Sequence, residues 1–291
     1  MIYAASSVLR EDWLAYVREG LGSFRAFELA CAEPRVVVSA GELEALARLR
    51  EKEGLRYSVH APFRRLDVGS ASESLQRRTE KLYRRSLEVA ADVGAELVVM
   101  HPSMVGEGEW SALPARAQAA LRAREKAAFE RLGRRANALG VRIGVENMPR
   151  HRAARHAGWL HSLLEGFEGL ALGVTVDVGH AQTCGIPPSL FLEEFAPRLF
   201  HVHAHDNSGQ GDEHRAVGDG SIDWAPVARA LVAADFRGLV ADEALNLPAQ
   251  LRGKERLLAL LERAARARRT PDPSPRKAGG NSSPRRAKKL P

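Results

Sequence analysis

Cysteine is scarce in this 291-residue chain: Cys31 and Cys184 stand far apart and outside any CxxC pair. Two such residues make no disulfide framework, and both read as ordinary thiols. Long apolar runs are missing too. None approaches the roughly 20 residues that a membrane helix needs, so no membrane partner is expected. The start, MIYAASSV, lacks the charged leader, apolar centre and small-residue cleavage site of a secretory signal, which makes a cytoplasmic enzyme the expectation. Net positive charge is absent from the body of the chain. The whole carries +7, but residues 266–291, RARRTPDPSPRKAGGNSSPRRAKKLP, hold nine Lys or Arg against Asp272 alone; that tail charge of +8 leaves −1 for residues 1–265. The body therefore lacks the basic footprint of a duplex-binding protein. The tail is rich in Pro, Gly, Ser and base with almost nothing to bury, so it is expected to be disordered. It reads as a solvated extension or as an arm for polyanions such as nucleic acid.

What is present is a regular alternation of strand-like and helix-like segments. Short apolar runs at 2–5, 26–30, 57–59, 97–100, 141–145, 172–176, 199–202 and 239–241 have the character of buried parallel strands. Between them lie amphipathic segments such as 41–53, where Leu43, Leu46, Ala47 and Leu49 form one apolar face. Others span 75–93, 115–139, 224–234 and 248–267. Eight alternations over residues 1–265 predict a single (β/α)8 TIM barrel, an α/β fold followed by the basic tail.

Six ligand-type residues close these strands: His60 ends RYSVH, His101 LVVMH, Glu146 RIGVE, Asp177 GVTVD, His203 FHVH and Glu243 LVADE. In a parallel barrel every strand opens its C-terminal end on the same face, so all six are expected at one mouth. His180, in TVDVGHA, and Asp212 and His214, in DEH, add three candidates from the loops that follow. Imidazole with carboxylate suits zinc, manganese or iron rather than calcium, and nine ligands imply two or three ions if all take part. His151, His156 and His161 are expected to face solvent or a substrate loop. His201 and His205 are expected on the opposite face from His203 or in the loop. Glu28 either lines the mouth or pairs with a base in the core. Asp223, in GDGSIDW, is placed to cap the following helix.

The motifs HAPF at His60, HPS at His101, VENMP at Glu146, VDVGHA at Asp177, HxHD at His203, DEH at Asp212, GDGSIDW and the late Glu243 resemble the xylose isomerase-like barrels, over nearly all of residues 1–265. That superfamily includes the endonuclease IV group and many sugar and sugar-phosphate isomerases and epimerases. The isomerase resemblance implies one divalent cation, zinc or manganese, held by Glu146, Asp177, His203 and Glu243. Glu146 and Glu243 would then move a proton beside a carbonyl of a sugar, sugar phosphate or related substrate. His180, or Arg215 beside DEH, is placed to bind the substrate's oxygens or phosphate. The endonuclease resemblance implies three zinc ions and DNA as partner. His60, His101 and Glu146 would hold the first ion, the same inner four the second with Glu146 bridging, and His180, Asp212 and His214 the third. The sequence departs from the endonuclease pattern at DVGH, where that group carries Asp-Thr-Cys-His, and at HAHDNS, where it carries a histidine followed by Asn-Asp-Ser-Lys. It also has Phe63 where that group carries a tyrosine.

Overall fold

A computed structural model describes residues 1–7, 10, 12–31, 36 and 38–269. The described strands are β1 (Ile2–Ser6), β2 (Ala26–Ala30), β3 (Arg56–His60), β4 (Leu97–Met100), β5 (Arg142–Glu146), β6 (Leu172–Asp177), β7 (Leu199–Ala204) and β8 (Leu239–Asp242). All pair in parallel in chain order, and β8 returns to β1 from Ile2↔Leu239 to Ala5↔Asp242, closing the barrel. The described helices are α1 (Trp13–Gly20), α2 (Ala40–Glu53), α3 (Glu73–Val93), α4 (Glu107–Ala112), α5 (Ala115–Leu139), α6 (Ala157–Leu164), α7 (Val178–Thr183), α8 (Pro188–Phe195), α9 (Trp224–Ala233) and α10 (Leu247–Arg269). The (β/α)8 barrel expected from the alternation is thus the fold. One boundary moves: the tail expected to be disordered from Arg266 begins inside α10, because the helix continues through Arg266, Arg268 and Arg269. Residues 270–291 of that expectation lie outside the described residues.

Local signals fix where helices hand over to strands. Ser39 caps α2 by accepting a hydrogen bond from the Glu42 amide at 3.2 Å, and Leu43 and Leu46 turn its apolar face inward. Gly54 ends α2 with a left-handed φ of 63°, a conformation costly for a residue with a Cβ, and the chain enters β3 two residues later. Asp223 caps α9 as expected, accepting from the Ala225 amide.

Strand residues alternate between two environments. One set, including Phe27, Leu29, Val59, Val98, Ile143, Val174, Val202 and Val240, shares a large core with helix residues such as Leu46, Leu87, Phe129, Leu160 and Leu257. Each such buried side chain contributes about 1.5–3 kcal/mol. The other set faces the barrel axis. At the N-terminal end it is small and apolar, with Ile2, Ala4, Ala26, Leu239 and Ala241 in contact. Toward the C-terminal end it becomes polar and fully buried, with Ser6, Glu28, Ser58, Thr175, His201 and His203. The fold therefore delivers a polar interior to one mouth. No helix among the described residues is long and apolar enough to cross a membrane.

Candidate metal centre

Glu146, the last residue of β5, is the hub of the mouth. Its Oε1 lies 3.0 Å from His203 Nδ1 and 3.5 Å from His180 Nδ1; its Oε2 lies 2.8 Å from His101 Nε2 and 3.4 Å from His60 Nε2. His203 Nδ1 also faces Asp177 Oδ2 and Glu243 Oε1, each at 3.7 Å. Asp212 joins from the loop after β7, its Oδ2 3.3 Å from both His180 Nε2 and His214 Nε2. All nine metal-ligand candidates named from the sequence meet at this mouth.

The second nitrogen of most of these rings is anchored, and the anchor decides which nitrogen is presented. His60, His180 and His214 each donate Nδ1–H to a main-chain carbonyl, those of Ala61, Asn147 and Glu243, at 2.8, 2.8 and 3.0 Å. A carbonyl can only accept, so Nδ1 keeps its hydrogen, and a ring made neutral by a cation would present its Nε2 lone pair on the side of the carboxylates. Carboxylates cannot donate to a lone pair, and a cation between them satisfies both. Metal-ligating histidines are commonly oriented this way. Glu146 Oε2 and Glu243 Oε1 are buried and accept no hydrogen bond, and the nearest nitrogen to the former is His101 Nε2 at 2.8 Å. Two orphaned carboxylate oxygens among anchored imidazoles fit a divalent cation.

The two principal glutamates sit in opposed electrostatic settings. Burial acts to raise the Glu146 carboxyl, but His203 and His101 outweigh it and hold the group well below the usual carboxylate range. Burial also raises Glu243, and there His203 and His214 offset it only in part, so its pKa is raised. His214 is pushed up to about 9: burial lowers it, and the Asp212 hydrogen bond with the Glu243 charge more than compensates.

Several positions differ from the sequence expectations. His201 and His205 lie on the same side as His203, because residues two apart on a strand share a face. His201 Nε2 is 2.9 Å from Glu28, and His205 Nε2 is 3.2 Å from Asp177 Oδ1 and 3.5 Å from Asp212 Oδ1. His205 is thus a site residue that the sequence does not single out. Its signal was the two-residue period of HVHAH together with Gly179, where a Cβ would sit 1.9 Å from His205 Cε1. Glu28 resolves into a core carboxylate, accepting from Ser6, Ser58 and His201. Arg215 is not brought to the mouth. An antiparallel bridge between Asp206 and Arg215 sends neighbouring side chains to opposite sides, so His214 turns inward while Arg215 pairs with Glu213 at 3.0 Å, half-exposed.

Asn147, unremarked within VENMP, ties β5 to β6 by accepting from the Asp177 amide at 2.7 Å and donating to its carbonyl at 3.0 Å. Phe63 stacks on His101 with centroids 5.0 Å apart. Above these residues opens a cavity of about 710 Å³, lined by Phe63, Leu66, Met104, Met148 and Pro149 and by the bases Arg64, Arg65, His151 and Arg152. His156 and His161 are exposed, as expected.

A family model for the xylose isomerase-like TIM barrel matches residues 19–262. An uncharacterized protein of Methanocaldococcus jannaschii is 30% identical over 244 residues, 82% of this chain and 81% of that protein. A probable endonuclease 4 of Mycobacterium ulcerans is 26% identical over 213 residues, 69% of this chain and 76% of that protein. Among solved structures, a D-tagatose 3-epimerase-like protein superposes with a TM-score of 0.82 at 27% identity, covering 92% of this chain and 99% of the other. An L-ribulose 3-epimerase shares the fold, with a TM-score of 0.71 at 18% identity over 92% and 96% of the two chains. By its closed parallel barrel, its ordered motifs and the extent of these matches, the chain belongs to the xylose isomerase-like TIM barrel family.

Proposed function

We propose that the protein is a divalent-metal-dependent isomerase or epimerase, acting in the cytoplasm on a sugar, sugar phosphate or related hydroxy-carbonyl compound. The observation that carries this reading is that Glu146, Asp177 and Glu243, at the ends of β5, β6 and β8, each bring a carboxylate oxygen within 3.7 Å of His203 Nδ1, with two of their carboxylate oxygens buried and unpartnered. The similarity to a D-tagatose 3-epimerase-like protein supports a sugar as substrate. A bound cation, zinc or manganese by the character of the donor set, supplies Lewis-acid polarisation of carbonyl and hydroxyl oxygens.

Glu146 and Glu243 enter the mouth from separate strands and flank the space above His203. One takes a proton from the carbon beside a carbonyl and the other returns it. Return to the opposite face of the same carbon inverts that centre; return to the neighbouring carbon moves the carbonyl. Phe63, Met104 and Met148 line the cavity with apolar surface that limits water around the exchanging proton. Arg64, Arg65 and Arg152 border the same cavity, a charge pattern that supports a phosphorylated sugar over a neutral one.

Metallated protein given ketoses and ketose phosphates in D2O is expected to incorporate deuterium beside the carbonyl and to interconvert the epimers or isomers. Absence of exchange into all of them by fully metallated protein sinks the reading.

One observation favours a second reading, a zinc-dependent endonuclease of the endonuclease IV type cutting DNA at abasic sites. The outer residues His60, His101, His180, Asp212 and His214 all join the inner four, a donor set large enough for three ions. In that case residues 266–291 would serve as a basic arm on the duplex. Elemental analysis separates the two: about one ion per chain supports the isomerase, whereas three zinc ions with incision of an abasic duplex support the nuclease.

A further inference from the structure

Beneath the centre lies a second polar cluster that proton transfer does not use. Glu28, from β2, is fully buried and receives Ser6 Oγ at 3.2 Å, Ser58 Oγ at 3.1 Å and His201 Nε2 at 2.9 Å. His203 Nε2 stands 3.2 Å from its Oε1. An ionised carboxylate only accepts, so every one of these neighbours must donate. Both nitrogens of His203 thus face carboxylates, Nε2 that of Glu28 and Nδ1 those of Glu146, Asp177 and Glu243, so a cation taking the Nδ1 lone pair would leave the one hydrogen of the neutral ring on Nε2, toward Glu28.

This reverses the arrangement of His60, His180 and His214, which are anchored through Nδ1 on main-chain carbonyls. At His203 a side chain from the other side of the barrel makes the choice. Ser6, Ser58 and His201 in turn hold Glu28 in place, since each spends its own hydrogen on it.

We propose that Glu28 is a positioning residue: it locks His203 in the Nε2–H tautomer, so that Nδ1 is the nitrogen offered to the divalent cation. The inference rests on the cation-binding part of the proposed function and is independent of the substrate. Glu28→Gln keeps the volume but replaces one accepting oxygen by an NH2 and removes the negative charge, which weakens the hold on the His203 Nε2–H.

The test uses the full chain with Zn2+ as the probe. Two-dimensional 15N–1H spectra of the wild-type imidazoles are expected to show His203 protonated at Nε2 and metallated at Nδ1. Competition with a chromophoric chelator is expected to give Glu28→Gln a 10–100-fold weaker Zn2+ affinity, the range typical for loss of such a partner, with an unchanged circular dichroism spectrum. A wild-type His203 metallated at Nε2, or a folded Glu28→Gln with wild-type affinity and tautomer, overturns the inference and leaves the functional reading standing. A wild-type protein that binds no Zn2+ overturns both. If the variant does not fold, the wild-type tautomer decides alone.

Discussion

The two ends of the barrel treat charge in opposite ways. At the N-terminal end, Glu96 precedes β4 and receives Arg56 through two contacts of 2.8 and 2.6 Å and Arg142 at 3.2 Å, while Arg142 also covers the Phe200 ring. Acid and base are matched there, and each group keeps some contact with solvent. At the C-terminal end, Glu146 and Glu243 are buried and each leaves an oxygen without a partner. Matched charge stabilises a fold; buried unmatched carboxylate costs stability and persists where something else completes it. Barrels of this type place stability at one end and chemistry at the other.

Asp206 shows that partner supply, more than position, makes the difference. It lies near the same mouth, yet it accepts from the amides of Asn207, Gly218 and Ile222 and from Trp224 Nε1, all at 2.8–3.2 Å. Every lone pair has a use, and the loop carrying Asp212 and His214 hangs from it.

Three substitutions probe this contrast. The largest effect is expected for Glu146→Gln, which should lower turnover by about 10²–10⁴-fold and weaken metal binding while the thermal midpoint stays near wild type or rises. Steady-state rates with calorimetry check this, and a collapse of stability would show Glu146 to be structural after all. Asp206→Ala should cost on the order of 3 kcal/mol in chemical denaturation, because several buried N–H groups lose their acceptor at about 1–3 kcal/mol each. Should that variant keep its stability and lose only activity, the distinction between satisfied and unsatisfied carboxylates fails. Glu96→Ala, at the far end, should cost about 1 kcal/mol, as partly exposed ion pairs do, and leave metal affinity and turnover unchanged; a change in either would mean the ends are coupled.

Much of this was legible in the chain. The alternation of segments determined the barrel, and the ligand-type residues closing β3 to β8 determined where chemistry would gather, since parallel strands open on a single face. Arg215 was misplaced because a residue beside DEH looks close to the site along the chain, and only the backbone bridge to Asp206 reveals which way it points. The sequence does not single out His205 because the apolar run marks the strand only to Val202, whereas β7 runs to Ala204 and His205 keeps its two-residue phase. The helical tract that became α10 reads past Arg266 because a basic helix terminus and a basic tail have the same composition.

The sequence by itself determined the fold class and the cast of metal-ligand residues, because both follow from short-range periodicity and from the shared direction of parallel strands. Only the tertiary structure decided which nitrogen each histidine presents and which carboxylate oxygens are left without partners. Those depend on groups far apart along the chain, as with Glu28 and His203, 175 residues distant and in contact across the barrel.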